Sequence, residues 1–141
     1  MTSTIPAFKT ALAARLKPAI AALAEVYYGL ADPNKMGSKV LLIGPAKNRT
    51  LEFVAGMSQA NESYDVEIIA SVVGPVQESF ETLVALAYGV IDATISNILA
   101  WDALPSGVNN VIPSESEDDE AVGDGFREAY VKQTLHVQAR I

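Results

Sequence analysis

Cysteine is absent from this chain of 141 residues. Its absence excludes disulfides, thiolate nucleophiles and zinc sites built on sulfur. Basic residues are also few, since 10 lysines and arginines face 17 acidic residues and give a net charge of −7. A protein that binds nucleic-acid phosphates normally carries the opposite sign. The composition therefore predicts no direct readout of nucleic acid.

Long hydrophobic runs are missing too. The longest uncharged apolar run, Leu83 to Ile91, is too short for a membrane span. Lys9, Arg15 and Lys17 interrupt the apolar residues near the N-terminus, so that segment lacks the continuous core of a signal peptide. We therefore expect a soluble protein that is made inside the cell and has no membrane partner.

What the chain does contain is enough apolar material for one core. Half of its residues are hydrophobic and 19% are charged, which is not a disordered composition. A chain of this length favours one domain, which we expect over residues 1–141. Such a domain buries roughly two thirds of the surface that its unfolded chain exposes, so it can fold without disulfides or a structural metal ion.

Two segments have the apolar spacing of helices. The first spans residues 4–25, with Thr4 as a cap, Pro6 in the first turn and Pro18 as the point of a kink or restart. The second is expected to start after Gly74-Pro75 and to run to Leu99. The first stripe consists of Ile5, Phe8, Leu12, Leu16, Ile20 and Leu23. The second consists of Phe80, Leu83, Val84, Ala87, Ile91, Thr94, Ile95 and Ile98. Because further apolar residues widen the second stripe, we expect that helix to contact the sheet and the first helix.

The remaining apolar segments predict strands. They are residues 26–28, 39–43, 62–73, 108–112 and 126–141, with Gly44-Pro45 expected to end the second. Tyr64, Val66, Ile68, Ala70 and Val72 alternate onto one face of the third strand, while Ile69 and Val73 suggest that its second half is covered on both sides. No regular βαβ alternation is present. We therefore predict an α+β fold, a mostly antiparallel sheet of four to five strands with two helices packed on one face.

Three connecting segments stand out. Residues 31–34 predict a turn. Residues 46–61 fit either a long loop or a β-arm made of Thr50 to Val54 with its tip at Gly56. Residues 114–124 hold six acids and no base, and we predict a solvated acidic loop. An EF-hand pattern counted from Asp118 fails because Val122 and Ala129 fall at ligand positions.

Sequence motifs for catalysis are incomplete. Gly44 to Thr50 lacks the second glycine of a phosphate-binding loop. Ser58 lies in a near match to a nucleophile elbow, but the chain then leads into a strand, and the one histidine, His136, lies in the middle of another strand. We expect His136 to be an exposed strand residue. The sequence thus predicts no catalytic residue, no cofactor and no metal site, and a serine hydrolase stays a distant alternative.

Several segments in order carry a resemblance to a known family. They are Val-Tyr-Tyr-Gly-Leu30, Lys-Val-Leu-Leu-Ile-Gly44, the strand Glu62 to Val73, the helix Phe80 to Leu99, Pro-Ser-Gly-Val-Asn-Asn-Val-Ile112, the acid-rich segment, and the closing strand that ends in Ala-Arg-Ile141. This order and the glycine placement resemble the tail terminator, or tail-completion, proteins of long-tailed bacteriophages. The resemblance covers most of the chain.

The resemblance implies a structural virion protein that is not an enzyme. It implies a homohexameric ring at the head-proximal end of the tail tube, which stops tube polymerisation and joins the tail to the head connector. The implied partners are other copies of the chain, the tail tube protein and the head–tail connector or stopper protein. The implied location is the tail or neck of the virion, assembled in the bacterial host cytoplasm.

Ring assembly needs one patch to meet a different patch on the next subunit, and loops on a rigid scaffold often supply such contacts. We therefore expect the arm and the acidic loop to be contact elements, one of them facing the tube or connector. Trp101 suits either a core or an interface position. The candidate interface residues are Arg49, Phe53, Trp101, Glu117, Asp118 and Asp119. The alternatives are a head-completion or neck adaptor, a minor tail protein, and a binding protein with no virion role.

Overall fold

The computed structural model describes residues 2–29, 37–56 and 58–141. The turn expected at residues 31–34 lies outside this part of the chain. The elements are α1 (Ile5–Ala19), β1 (Glu25–Tyr28), β2 (Lys39–Phe53), β3 (Ala60–Pro75), α2 (Phe80–Leu99), β4 (Val108–Gly123) and β5 (Phe126–Arg140).

The strands form one sheet in the order β1-β2-β3-β5-β4. β1 pairs with β2 in parallel, and every other neighbouring pair is antiparallel. Both helices pack against the same face, because the side chains that alternate onto that face of β3 and β5 are the buried ones. The predicted α+β class, with a mostly antiparallel sheet and two helices, is confirmed.

β3 is the centre of the core. Tyr64, Val66, Ile68, Ala70 and Val72 are all buried beneath the helices, as their alternation predicted. Leu135 and Val137 on β5 lie beside Val66 and Tyr64 and continue the same face. On the opposite face Ile69 and Val73 are partly buried, and among the described residues no helix packs on this face.

α1 is shorter than predicted. It ends at Ala19, directly after Pro18, which supplies no backbone N–H to continue the hydrogen-bond ladder. The N–H groups of Leu23 and Ala24 both donate to the carbonyl of Ile20, and this turn leads into β1. The stripe is buried from Phe8 to Ile20, but Leu23 lies beyond the helix and is 44% exposed.

β2 does not end at Gly44-Pro45, as the sequence suggested. It continues to Phe53, with irregular register between Ile43 and Ala46 and again between Lys47 and Thr50. Proline is tolerated at such a bulge because the missing N–H is not needed for pairing there. The β-arm alternative for residues 46–61 is thereby confirmed, and Gly56 occupies the turn at its tip with φ 75°.

Gly74 and Pro75 also belong to a strand, because they pair with Arg127 and Phe126 at the end of β3. The helix predicted from residue 76 begins at Phe80 instead. Ser79 caps it, since its hydroxyl accepts a hydrogen bond from the N–H of Thr82. The helix start is therefore set by the hydrogen bond of Ser79, because Pro75 still belongs to β3.

α2 buries one stripe and exposes much of the rest. Its buried residues are Leu83, Ala87, Val90, Ile91, Thr94 and Ile98. Contact with α1 is limited, and the guanidinium of Arg15 donates to the carbonyl of Asn97 at 3.0 Å. α2 is long and apolar enough to cross a membrane by length and composition alone, a property that core helices of soluble proteins share.

The acidic segment, residues 114–124, is not the loop that the sequence predicted. From Ser116 to Gly123 it pairs with β5 as the outer half of β4. All its residues from Ser114 to Val122 are exposed, because β4 is the last strand of the sheet. A polar sequence can therefore form a strand here, since the edge position requires little burial.

The two leucines Leu12 and Leu23 test the observed end of α1. Leu12 is fully buried, so Leu12→Ala should lower the free energy of unfolding by roughly 2–5 kcal/mol. Leu23→Ala removes the same atoms from a side chain that is 44% exposed, and we expect a loss below about 1 kcal/mol. Urea unfolding followed by circular dichroism measures both. Equal losses would contradict the burial assigned to the two positions.

Candidate functional site

Five of the six candidate interface residues lie on two exposed strand edges at opposite sides of the sheet. Arg49 and Phe53 belong to the arm, the hairpin formed by residues 46–65 of β2 and β3. Glu117, Asp118 and Asp119 belong to the outer half of β4. Trp101 belongs to neither edge, so the structure separates the six candidates into three places.

The arm exposes apolar side chains. Phe53 is 66% exposed and Leu51 is 38% exposed, and both lie on the face of the sheet that the helices cover elsewhere. β1 pairs with β2 only up to Ile43. Within the described residues, no strand lies against the outer edge of β2 from Thr50 to Phe53. The expectation that Phe53 is available for contact agrees with this exposure.

Arg49 has an internal partner that sequence reasoning missed. Its Nε donates to Oε2 of Glu62 at 2.7 Å, and the Glu62 side chain is fully buried. The hydroxyl of Ser3 donates to the same oxygen at 2.7 Å. The backbone N–H and the hydroxyl of Thr4 donate to Oε1 at 2.9 Å and 2.7 Å. Thr4 therefore binds Glu62 instead of capping α1 with its side chain.

The hydrogen bonds decide the charge of this carboxylate. Burial of Glu62 opposes ionisation, but the donors from Thr4, Ser3 and Arg49 outweigh it and lower the pKa to about 2. The Tyr64 hydroxyl completes the cluster, 3.0 Å from the hydroxyl of Thr4, and burial raises the pKa of Tyr64 to about 12. The cluster fixes the start of α1 to the base of the arm, so Arg49 has a structural role here.

The three acidic candidates make different contacts. Asp118 accepts a hydrogen bond from the Tyr88 hydroxyl at 2.8 Å, which links β4 to α2 and raises the pKa of Tyr88. Asp119 accepts from the Tyr130 hydroxyl at 3.3 Å and from the backbone N–H of Glu120. Glu117 lies opposite Lys132. These exposed pairs contribute little to stability, so the segment remains free to act through its charge.

Trp101 packs inward. Its ring stacks on Phe8 with centroids 6.0 Å apart, and the Arg15 guanidinium lies 5.5 Å from the ring centroid. Phe8 is fully buried and also meets Tyr64 edge-on. Of the two positions that the sequence left open for Trp101, the structure favours the core.

The pairing register of the strands gives the distance between the two edges. Arg49 bonds Glu62 at one end of β3, whereas Glu117 lies level with Lys132 and Ile69 nearer the other end. Seven residues along β3, about 24 Å, and three strand spacings, about 14 Å, separate them, which amounts to about 28 Å. Arg49 and Phe53 thus cannot form one patch with the acidic residues of the same copy.

The serine and histidine of the hydrolase alternative are also apart. His136 Nδ1 lies 2.8 Å from Oδ1 of Asp65, about two thirds of the way along β5. Ser58 precedes Ala60, the first residue of β3, so roughly 17 Å or more of strand lies between the two side chains. His136 is 37% exposed, which agrees with the predicted strand position. In the described part of the chain, no three acidic or histidine side chains are grouped to hold a metal ion.

Comparison with known proteins gives a likeness in structure but none in sequence. No family model matches the sequence, and no curated protein matches it. A chain of a solved structure described as the virion of the native gene transfer agent particle superposes with a TM-score of 0.54 at 15% identity. The match covers 94% of this chain and 93% of that chain. The likeness shows a shared fold over nearly the whole length of both.

Glu62→Gln tests the buried cluster. Its pKa is lowered from an ordinary 4.5 to about 2, so the carboxylate stabilises the fold fully above pH 4.5 and loses this effect as the pH falls to about 2. Since the Glu62 side chain is buried, the shift corresponds to about 3 kcal/mol at neutral pH. The variant should therefore unfold more easily at pH 7 and show a shallower loss of stability below pH 4.5 than the unchanged protein.

Glu52→Gln is the matched control, because Glu52 lies on the same arm and is exposed. Urea unfolding at several pH values measures both variants. An equal and small effect of the two substitutions would contradict the role assigned to the Glu62 cluster.

Proposed function

We propose that this chain is a structural subunit of a phage-like virion and acts as a tail terminator. The observation that carries the proposal is the likeness to a virion chain over 94% of this chain and 93% of the other. Fold alone does not determine function. The order of segments and the glycine placement in the sequence separately resemble the tail-completion proteins. This resemblance favours a tail terminator over other proteins that share the fold.

The surface chemistry supports work by assembly. Exposed Phe53 and Leu51 on an unpaired edge suit protein contact, because such apolar side chains are otherwise buried. The separation of Ser58 from His136 disfavours the hydrolase alternative, since a nucleophile needs its base within hydrogen-bond reach. Both features are those of a protein that works through its surface, with no catalytic role.

The fold also suggests how a ring would present two faces. The turn at the tip of the arm, which contains Gly56, and the turn at residues 124–125 lie at opposite ends of the strands. In a ring whose strands run from one face to the other, one turn meets the tail tube protein and the other meets the head–tail connector. We propose a hexamer at this position in the tail or neck, assembled in the bacterial cytoplasm and acting on tube length and head joining.

Electron microscopy of particles made without this chain tests the proposal. We expect tail tubes longer than normal and heads without tails, because nothing would cap the growing tube. Supplying the unchanged chain should restore the normal length. Supplying Asp102→Asn, a substitution at an exposed position outside both strand edges, should do so equally.

The same images distinguish the alternatives. Tails of normal length beside unjoined heads would indicate a neck adaptor and would contradict terminator function. Normal particles in normal number would contradict every virion role proposed here.

A further inference from the structure

We propose that copies of this chain join edge to edge, with the start of β4 in one copy pairing antiparallel with the arm of the next. The contact segments are Val108–Pro113 on β4 and Ala46–Leu51 on β2, which the strand register places at the same level. This inference rests on the proposed assembly function and names the surfaces that would carry it. The occupant of each edge is thus a second copy of the same chain.

Both segments have free edges in the described structure. β4 is the last strand of the sheet, and Val108–Pro113 pairs only with β5. On the other side, Ala46–Leu51 pairs only with residues 62–66 of β3, because β1 pairs with β2 no further than Ile43. Unpaired N–H and C=O groups along a strand edge favour pairing with another strand. The arm strand is exposed from Lys47 to Phe53, whereas Val108 and Val111 turn their side chains into the core and leave the outer backbone edge of β4 free.

Strand direction allows the two edges to meet. β2 and β5 run in one direction, and β3 and β4 run in the other, because each neighbouring pair among them is antiparallel. If the next copy is placed beside the first in the same orientation, its β2 is antiparallel to β4. Such a contact joins two different patches and repeats from copy to copy, which is the requirement for a ring.

The two segments also lie at the same height. Thr50 pairs with Ser63, Ser63 pairs with Gln138, and Gln138 pairs with Asn110. In the same way Leu51 pairs with Glu62, Glu62 with Ala139, and Ala139 with Val108. Leu51 and Val108 are therefore level, and both lie on the face of the sheet that the helices cover. Neighbouring copies therefore meet without a shift along the strands, and Leu51 of one copy becomes the cross-strand neighbour of Val108 of the next.

The irregularities of both edges fit this placement. The register of β4 shifts between Pro113 and Ser116, level with the shift of β2 between Ile43 and Ala46. β1 pairs with β2 only on the far side of this point, up to Ile43. A bulge bends its strand, so β4 can lie against the arm over Val108–Pro113 and then turn outward around β1.

Charge favours this pairing over a symmetrical one. The acidic segment, residues 114–124, has six acids and no base, so two β4 strands placed together would repel. In the proposed contact this segment lies level with β1 of the next copy, over which α1 packs. Lys9 of α1 lies with its Nζ 4.7 Å from the ring centroid of Tyr28, and Tyr28 on β1 is level with Ser116 of the acidic segment. Lys9 therefore places a positive charge beside this segment, although Glu25 on β1 is level with Asp119 and offers no such attraction.

A pair of introduced cysteines tests the contact, because the natural chain has none. Thr50 and Asn110 are both exposed and lie on the two outermost strands of a four-strand span. Within one copy they are separated by three strand spacings, about 14 Å, which is too far for a disulfide. Any disulfide in the double variant Thr50→Cys, Asn110→Cys must therefore join two copies.

We expect mild oxidation of the double variant to give a ladder of covalent oligomers on a non-reducing gel. An equal mixture of the two single variants should stop at dimers. Thr50→Cys combined with Asp119→Cys is the matched control, since Asp119 is exposed on the same strand but lies far from the level of Thr50. Circular dichroism melting verifies that each variant is folded.

Hydrogen exchange gives a second measurement on the unchanged chain. The amides of Ala46–Leu51 and Val108–Ile112 should exchange more slowly in the assembled protein than in the diluted monomer. Dimers from Asn110→Cys alone would contradict the proposal in favour of a symmetrical contact. Assembly in light scattering without a ladder or added protection would contradict the edge contact only. Failure of the terminator function itself is measured separately by tube length in the electron microscope.

Discussion

The buried carboxylate of Glu62 joins three parts of the chain that lie far apart in sequence. Its oxygens accept hydrogen bonds from Ser3 and Thr4 before α1 and from Arg49 on the arm, while Glu62 itself belongs to β3. Because a buried charge without partners is costly, all of these groups must be in place together. The position of the helix and the direction of the arm are therefore set by one cluster.

That cluster explains why the arm can be both exposed and ordered. The outer strand of the arm is exposed over its length, so it has little apolar burial of its own. Ala60, Glu62 and Tyr64 on the partner strand are buried, however, and they connect the arm to the core. Since the two strands pair from Thr50 to Phe53, the rigid strand holds the exposed one in position. An exposed edge with a fixed direction is suited to binding a second protein.

The core of the fold follows from local patterns, and the edges do not. Alternation along Tyr64 to Val72 identified the buried face of β3, and the same alternation places Glu62 on that face, which was a signal of a buried charge. The acidic segment was misread because an edge strand needs no apolar residues, so its sequence resembles that of a loop. The prediction that Gly44 and Pro45 end the second strand was wrong for a related reason, since a bulge accommodates residues that would end a regular strand. The pairing of Arg49 with Glu62 and of Trp101 with Phe8 depends on tertiary contacts, which single-sequence patterns do not contain.

Unpaired strand edges favour aggregation unless something restricts which partner they accept. On β4 this restriction is provided by charge, because the acidic half repels a second copy of itself while the neutral segment Val108–Pro113 stays available. On β2 it is provided by shape, because β1 and the bulge at Gly44-Pro45 leave only the arm free for a neighbouring strand. A partner strand must satisfy both conditions, and in the proposed contact a like-oriented copy of this chain does so at matching heights. Under that proposal, the features that protect the two edges against random pairing also select one contact, and one repeated contact is what a closed assembly requires.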